Sequence, residues 1–190
     1  MKRISLLACL LGAASSARAA PILSLATAEP AVAQGETLDV HVVGTDATEL
    51  NLAQIELELP PGVSVADGGD VVSGAFFAGH AHTTLYSPPL TSFIVGLDDL
   101  SEELSGGGTL ATFTLTVAPD APLGPAVVML DAAHTFISDG NDAPGRQEVP
   151  YQTAGPLELV IVPEPGTAAW MLLVGIVWSN RRLRLRVDHP

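Results

Sequence analysis

Carboxylates are the side chains of this sequence that could most readily do chemistry, and several of them come in close pairs. The segment Asp98–Glu103 holds four, and Glu56 and Glu58 alternate in another segment. Paired carboxylates perform acid–base catalysis in glycoside hydrolysis. An acidic surface also supplies such pairs by abundance alone, and the sequence contains no Gly-x-Ser-x-Gly nucleophile motif. The pattern therefore favours a protein that is not an enzyme, with a small hydrolase as the weaker alternative.

Two further clusters could hold a metal ion. His80 and His82 would place two imidazoles on one face of a strand, but a zinc site needs a third and usually a fourth ligand. Asp139, Asn141 and Asp142 surround a glycine and offer the oxygen ligands that calcium prefers. They lack the spacing and the distal glutamate of an EF-hand loop, so a plain Asx turn explains them as well. We predict no cofactor, with calcium at Asp139, Asn141 and Asp142 as an open alternative.

The charges divide the chain into three parts. Of the 21 Asp and Glu residues, 19 lie between Pro21 and Val162, where Arg146 is the only Lys or Arg, which gives this part a formal charge of −18. Such a surface repels nucleic acid and suits basic partners, divalent cations or neutral sugars, although acidity could also serve solubility alone. Cys9, the only cysteine, precedes this part. We therefore expect no disulfide in it.

Apolar and polar residues alternate along three long stretches, which is the period of a β-strand with one buried face. The apolar positions are Leu38, Val40 and Val42, then Ile55, Leu57 and Leu59, then Ala111, Phe113, Leu115 and Val117. Shorter apolar stretches predict strands at Ile22–Leu25, Val63–Val65, Val71–Val72, Thr83–Tyr86, Phe93–Leu97, Val127–Leu130, Thr135–Ile137 and Leu157–Val162. Many short strands separated by Gly and Pro predict an all-β sandwich.

The sequence also supports three predictions about local structure. Asp98–Leu104 is the one helical candidate, because Asp98 could cap it. Gly106–Gly108 is predicted as a turn between strands. His41 and His134 lie in strand-like stretches and are expected to be structural.

Parts of this central region resemble a cohesin-type module. Pro30–Val43 followed by Leu52–Val65 is similar to its opening, and Gly108–Leu130, with a Leu-Ala-Thr-Phe-Thr-Leu strand and an Ala-Pro-Leu-Gly connection, is similar to its closing half. Ser73–Phe77 looks like the small-residue turn and aromatic of related exported proteins. Ile55–Pro61 departs from the family, where an aromatic and an aspartate often stand. The resemblance implies a cohesin-like jelly-roll β-sandwich of about nine strands, related in architecture to carbohydrate-binding modules, that binds rather than catalyses.

A secretory signal peptide is predicted at residues 1–19. Lys2 and Arg3 give it a basic start, Ile4–Ala14 is apolar, and Ala17 and Ala19 form an A-x-A cleavage site. We expect cleavage after Ala19. The cohesin-like domain would then span residues 20–162.

The last part, residues 163–186, combines a proline-rich motif, an apolar run and a basic cluster. The motif consists of Pro163, Glu164, Pro165 and Gly166, and the basic cluster of Arg181, Arg182, Arg184 and Arg186. The run between them is expected to form a short transmembrane helix of roughly 24 Å, less than the hydrocarbon core of about 30 Å. The arginines would hold their end on the cytoplasmic side.

This order of features resembles the PEP-CTERM sorting signal of Gram-negative bacteria, which an exosortase recognises. It implies a precursor anchored in the inner membrane and a mature form at the cell surface or in the extracellular matrix; a plain C-terminal anchor is the alternative. We therefore expect an exported binding module for an envelope protein or polysaccharide, not for nucleic acid. A purely structural matrix component is the main alternative function.

Overall fold

The computed structural model describes residues 20–66, 71–86, 91–140, 148–164 and 166. Between residues 20 and 162, the described residues form thirteen β-strands and one 3-10 turn at Ala75–Phe77, with no α-helix among them. The predicted signal peptide lies outside the described residues, as does the apolar and basic tail that follows residue 166.

Six strands form the first layer, sheet 1. They are β1 (Ile22–Ala26), β3 (Thr37–Leu50), β5 (Val63–Val65), β6 (Val72–Ser73), β9 (Leu104–Val117) and β12 (Gln152–Thr153). The order is β12-β1-β3-β9-β5, and β6 pairs with another stretch of β9. The long antiparallel pair β3 and β9 forms the centre of this sheet, with register shifts after Val42 and after Gly44.

Seven strands form the second layer, sheet 2. They are β2 (Ala31–Ala33), β4 (Leu52–Glu58), β7 (His82–Tyr86), β8 (Ser92–Leu97), β10 (Gly124–Leu130), β11 (Phe136–Ser138) and β13 (Leu157–Val162). The order is β2-β13-β10-β4-β8-β7, and β11 pairs with β4 as well. Strands β10 and β11 therefore lie beside successive stretches of β4, and the chain between them forms a turn at that edge.

The core lies between the two sheets and is built by the predicted alternation. Val40, Ile55, Phe113 and Leu115 are fully buried, whereas Asp39 and other intervening residues face outward. Phe113 of sheet 1 and Phe93 of sheet 2 meet across the sandwich, with ring centroids 5.5 Å apart. The all-β sandwich is confirmed. Eight of the strands have at least five residues and the other five have two or three, so the longer strands are close in number to the nine that the cohesin resemblance implied.

The helix predicted at Asp98–Leu104 is wrong. Asp99 Oδ1 accepts hydrogen bonds from the backbone N–H and the hydroxyl of Ser101, at 2.9 and 2.7 Å. The buried amide of Asn51 donates to the carbonyls of Asp99 and Glu102, at 2.9 and 2.7 Å. Those carbonyls are thereby occupied by the side chain of a residue between β3 and β4, so the segment forms a turn and then enters β9.

The turn predicted at Gly106–Gly108 is also wrong, because these glycines lie within β9. Gly106 pairs with Ala47 and Gly108 with Gly44. A Cβ on Gly107 would stand 3.3 Å from the carbonyl oxygen of Gly44. The glycines allow β9 to approach the irregular part of β3 closely, and that use of glycine is indistinguishable from a turn in sequence.

Candidate partner-binding face

The outward side chains of sheet 2 form a row across four strands. Leu85 of β7 pairs with Ile94 of β8, Ile94 with Gln54 of β4, and Gln54 with Phe136 of β11. Their neighbours in each strand point into the core, as expected for the period of two. Three of the four side chains in this row are apolar, although the row faces away from the core.

A second apolar group lies on the same face, on β10 and β13. Val127 and Met129 are 41% and 37% exposed, and Val160 is 47% exposed. We use the name apolar face for the outward surface formed by Leu85, Ile94, Phe136, Met129, Val127 and Val160. Four of these six are among the seven large hydrophobic residues that are exposed in the described part of the chain. Apolar residues exposed together, rather than singly, mark interaction surfaces.

Carboxylates lie between these apolar side chains. Glu58 stands opposite Met129 and Glu158 opposite Val127. Glu56, on the same strand as Glu58, accepts a hydrogen bond from the Thr91 hydroxyl at 2.5 Å. Apolar contacts interspersed with negative charge suit a protein surface that combines apolar and basic side chains.

Sheet 1 presents a contrasting outer surface, which we call the polar face: Asp39, His41, Thr112, Thr114 and Thr116. The Thr114 hydroxyl donates to Asp39 Oδ1 at 2.7 Å, and His41 Nδ1 lies 2.9 Å from the Thr112 hydroxyl. His41 is in a strand, as predicted. The polar positions of β9 and of β4 therefore belong to opposite faces of the sandwich, a separation that their similar patterns did not reveal.

His134 lies in the turn between β10 and β11 and not in a strand, which corrects the prediction. Its side chain is 70% exposed, and Nδ1 lies 2.6 Å from Asp131 Oδ2. The Tyr151 hydroxyl donates to the carbonyls of Ala132 and Thr135, at 3.1 and 3.0 Å, and so holds the turn in place. Since the turn adjoins Phe136 on one side and follows β10 on the other, His134 lies between the two apolar groups.

The charges of this turn shift several pKa values. The hydrogen bond to Asp131, together with the charges of Asp131 and Glu56, raises the pKa of His134. The His134 bond and the Ala133 N–H lower the pKa of Asp131. Burial raises the pKa of Tyr151. Both groups of the His134–Asp131 pair are therefore charged at pH values between the pKa of Asp131 and the pKa of His134. The stability that His134 contributes is lost as the pH rises through its folded pKa, and the stability that Asp131 contributes is lost as the pH falls through its folded pKa.

We predict that His134 titrates above its ordinary value, about 6.5, and that Asp131→Asn lowers its pKa. Glu56→Gln should lower it by less, because Glu56 acts through charge alone. A proton NMR titration of the His134 ring measures both effects. An unchanged His134 pKa in the Asp131→Asn variant would contradict the pairing.

The histidines His80 and His82 connect elements instead of converging on one point. His80 Nδ1 bonds Glu102 Oε1, whereas His82 Nε2 lies 2.5 Å from the Ser73 hydroxyl and Nδ1 lies 2.7 Å from the His80 carbonyl oxygen. The Ser73–His82 bond links β6 of sheet 1 to β7 of sheet 2. In the described segments, no three His, Cys, Asp or Glu side chains are grouped so as to hold a metal ion.

The carboxylates of Asp98–Glu103 also act separately. Asp98 Oδ1 accepts the Thr83 hydroxyl at 2.6 Å, and Glu102 bonds His80. Bonds from the Ser101 hydroxyl and N–H lower the pKa of Asp99. Of the calcium candidates, Asp139 follows β11 and is partly buried, whereas Asn141 and Asp142 lie outside the described residues.

The predicted sorting motif begins directly after the last residue of β13. The Val162 carbonyl accepts the backbone N–H of Gln34 at 3.0 Å, and Glu164 Oε1 stands 3.1 Å from where a Cβ on Gly35 would be. Gly35 has a positive φ of 81°, a backbone conformation that favours glycine. Pro165 lies outside the described residues, as do Arg181, Arg182, Arg184, Arg186, and the predicted cleavage residues Ala17 and Ala19.

No helix that is long and apolar enough to span a membrane occurs in the part of the chain that the structure describes. The tail that carries the predicted transmembrane helix is not in that part.

The residues of the apolar face were not singled out from sequence. Val127–Leu130 reads as a continuous apolar run, which predicts a strand buried on both faces. A period of two within such a run still sends Val127 and Met129 to one side and Val128 and Leu130 to the other. An apolar outward side was thus detectable in principle, but only if the strand was known to have no third layer above it.

The sequence matches no protein-family model, and no curated protein matches it either. Solved structures with the same fold do exist. The non-cellulosomal cohesin of Archaeoglobus fulgidus is 20% identical, with a TM-score of 0.53 over 80% of this chain and 97% of that one. A type II cohesin domain from the cellulosome of Acetivibrio cellulolyticus is 11% identical, with a TM-score of 0.58 over 74% and 95%. The third ScaB cohesin of R. flavefaciens, solved in complex with a group 1 dockerin, is 15% identical, with a TM-score of 0.57 over 77% and 97%. The described domain therefore has the cohesin fold.

Proposed function

We propose that this chain is an exported, non-catalytic module that binds a protein partner through the apolar face of sheet 2. The observation that carries the proposal is the concentration of exposed apolar side chains on one face of a sandwich. Leu85, Val127, Met129 and Val160 are all more than a third exposed there. A fold shared with cohesins, one of them solved with a dockerin bound, supports a protein as the partner.

The charge of the domain indicates that the partner surface should carry basic residues. Glu56, Glu58 and Glu158 accompany the apolar side chains, and the described residues contain no Lys or Arg to neutralise them. A partner surface with apolar and basic residues would bury the apolar face and pair with these three glutamates, which we call its acidic rim. Such rim charges speed association and are screened over a Debye length of about 8 Å at physiological ionic strength.

The full chain, immobilised and exposed to envelope and matrix fractions of its host, tests this function. We expect one protein to be retained at low salt, and we expect its binding to the immobilised chain to weaken at high salt. Retention without any salt dependence would contradict the role of the acidic rim. Absence of a retained protein under all conditions would favour a purely structural component, and turnover of a glycan or ester would contradict a non-catalytic module.

The two ends of the chain support a proposal about location. Residues 1–19 would direct export, and residues 163–186 would hold the precursor in the inner membrane until an exosortase processes it near Pro163–Gly166. Because β13 ends at Val162, immediately before Pro163, processing there would leave the folded sandwich intact. The mature module would then reside at the cell surface or in the extracellular matrix.

We predict that changing Glu164 and Pro165 together to Ala makes full-length, membrane-bound protein accumulate in a host with an exosortase. The matched control changes Pro119 and Asp120, a proline and a carboxylate that are both exposed in a turn. Intact mass spectrometry of the recovered protein measures the outcome. If the wild-type protein retains Arg181–Arg186 in that host, the tail is a plain anchor.

A further inference from the structure

A cleft of about 380 Å³ opens on sheet 1, where the turn after β1 approaches the polar face. Its polar lining comes from Thr27, Glu29, Thr37, Asp39 and His41. Small-molecule sites generally have volumes of about 300–1,000 Å³ and a few convergent polar groups. The volume of the cleft lies in this range and five polar residues line it, and it lies on the opposite side of the sandwich from the apolar face.

Hydrogen bonds hold the side chains of Thr27 and Asp39 in the lining. The Thr27 hydroxyl donates to the Asp39 carbonyl at 2.9 Å and accepts the Glu29 N–H at 3.3 Å, which fastens the turn bearing Glu29 onto β3. Thr114 holds Asp39 Oδ1 from the neighbouring strand at 2.7 Å. A carboxylate has about four lone-pair sites, so Asp39 keeps acceptor capacity for a ligand.

The other polar groups of the cleft can bind hydroxyls. His41 uses Nδ1 toward the Thr112 hydroxyl, which leaves Nε2 as the ring nitrogen for a ligand. Thr37, which carries a hydroxyl, lines the same space. An imidazole and a hydroxyl can each donate or accept, and this versatility matches the hydroxyl groups of a sugar.

The negative charge of the cleft favours a ligand that carries a positive charge. Glu29 and Asp39 both contribute carboxylates, and neither has a Lys or Arg partner among the described residues. A bare metal ion does not fit, since no metal-binding group of three side chains occurs in that part of the chain. The volume also exceeds what a single ion needs. A polyhydroxylated molecule with an ammonium group satisfies the carboxylates, the hydroxyl and the imidazole together.

We propose that this cleft binds a hexosamine with a free ammonium group, as the terminal residue of a partly deacetylated polysaccharide. None of the described residues that line the cleft is Phe, Tyr or Trp, so binding of the sugar is expected to depend on hydrogen bonds and charge. The expected affinity is therefore weak, on the order of millimolar. Because the apolar face is on the other sheet, one module can hold a protein and a glycan at the same time.

Ligand-observed NMR on the full chain in detergent micelles tests this site with four probes: glucosamine, N-acetylglucosamine, glucose and Nα-acetyl-lysine amide. We expect glucosamine to bind at least about tenfold more tightly than the other three, since it alone carries both ammonium and ring hydroxyls. Equal binding of glucosamine and N-acetylglucosamine would overturn the ammonium requirement. Equal binding of the lysine derivative would overturn the sugar assignment in favour of a protein ligand.

Substitutions locate the site. Glu29→Gln and Asp39→Asn should each weaken glucosamine binding by about tenfold, which corresponds to one charge-assisted contact. Glu29 is exposed, so its variant should fold normally. Glu148→Gln, which removes an exposed carboxylate beside β11 of sheet 2, should have no effect, and an equal loss in this control would show that net charge alone attracts the sugar. Displacement of glucosamine by stoichiometric Ca²⁺ would also overturn the proposal.

Discussion

Changing Leu85 and Val127 together to Lys should weaken the complex with the protein partner by about 30-fold or more, because truncating or charging a central interface residue costs about 2 kcal/mol or more. Each substitution places a cation where we expect apolar contact with a basic partner. Both side chains are exposed, at 59% and 41%, so the fold should tolerate the change. Lys at position 127 would also stand opposite Glu158, a favourable cross-strand pair.

Val72→Lys is the matched control. Val72 is 59% exposed, like Leu85, but it belongs to sheet 1. It adds one positive charge, against two in the double variant, to the same acidic domain without touching the apolar face, so the two losses of affinity are compared per added charge. Titration of the retained partner by calorimetry measures all three proteins, and an equal loss of affinity in the control would mean that charge, and not the face, determines binding.

Phe113→Ala should lower the free energy of unfolding by about 3–5 kcal/mol, the usual cost of truncating a buried aromatic residue. Phe113 is fully buried at the centre of sheet 1 and contacts the ring of Phe93 in sheet 2. Its removal leaves a cavity between the layers that the long strands β3 and β9 cannot close. Domains of this size have a total stability of only about 5–15 kcal/mol, so the loss is a large fraction of it.

Phe136→Ala provides the comparison within the same residue type. Phe136 is partly exposed on the apolar face, so its truncation should cost less than about 2 kcal/mol of stability while still weakening partner binding. Urea denaturation followed by circular dichroism measures both variants. Equal destabilisation by the two substitutions would contradict the placement of Phe113 between the sheets.

Period-two alternation was sufficient to predict the fold class and the long strands. Leu38, Val40 and Val42 are buried as expected, and so are Ile55 and Leu57. Each of these strands has one solvent-exposed face and one buried face, and the alternation of polar and apolar residues follows directly from that environment. The predicted bounds of β1, β5 and β13 are also correct to within one residue.

The failures arise where a distant residue decides the local structure. Asp98–Leu104 has helical features, but the side chain of Asn51 captures two of its carbonyls across the fold. Gly106–Gly108 has turn features, but β3 needs a strand without side chains at that position. Asn51 and the facing part of β3 are both distant in sequence from the segments that they shape, so no local pattern could have predicted their effect.

The candidate site was predictable only in part. The acidity of the domain and the alternation of Glu56 and Glu58 were visible in sequence, and both contribute to the rim of the apolar face. The apolar face itself depends on which side of each strand is left uncovered, and it joins Leu85 on the edge strand β7 to Val127 on β10, three strands away. The cleft beside Asp39 likewise depends on Thr27, which joins a turn to a strand twelve residues away.

Site-specific photo-crosslinking in the native host tests the central claim most directly. A photoreactive phenylalanine analogue would replace Leu85, Val127 or Val72, one position at a time. If the apolar face binds the protein partner, the same crosslinked product should appear from positions 85 and 127 and be absent from position 72. A product from position 72 alone, or the absence of one from both positions on sheet 2, would contradict it.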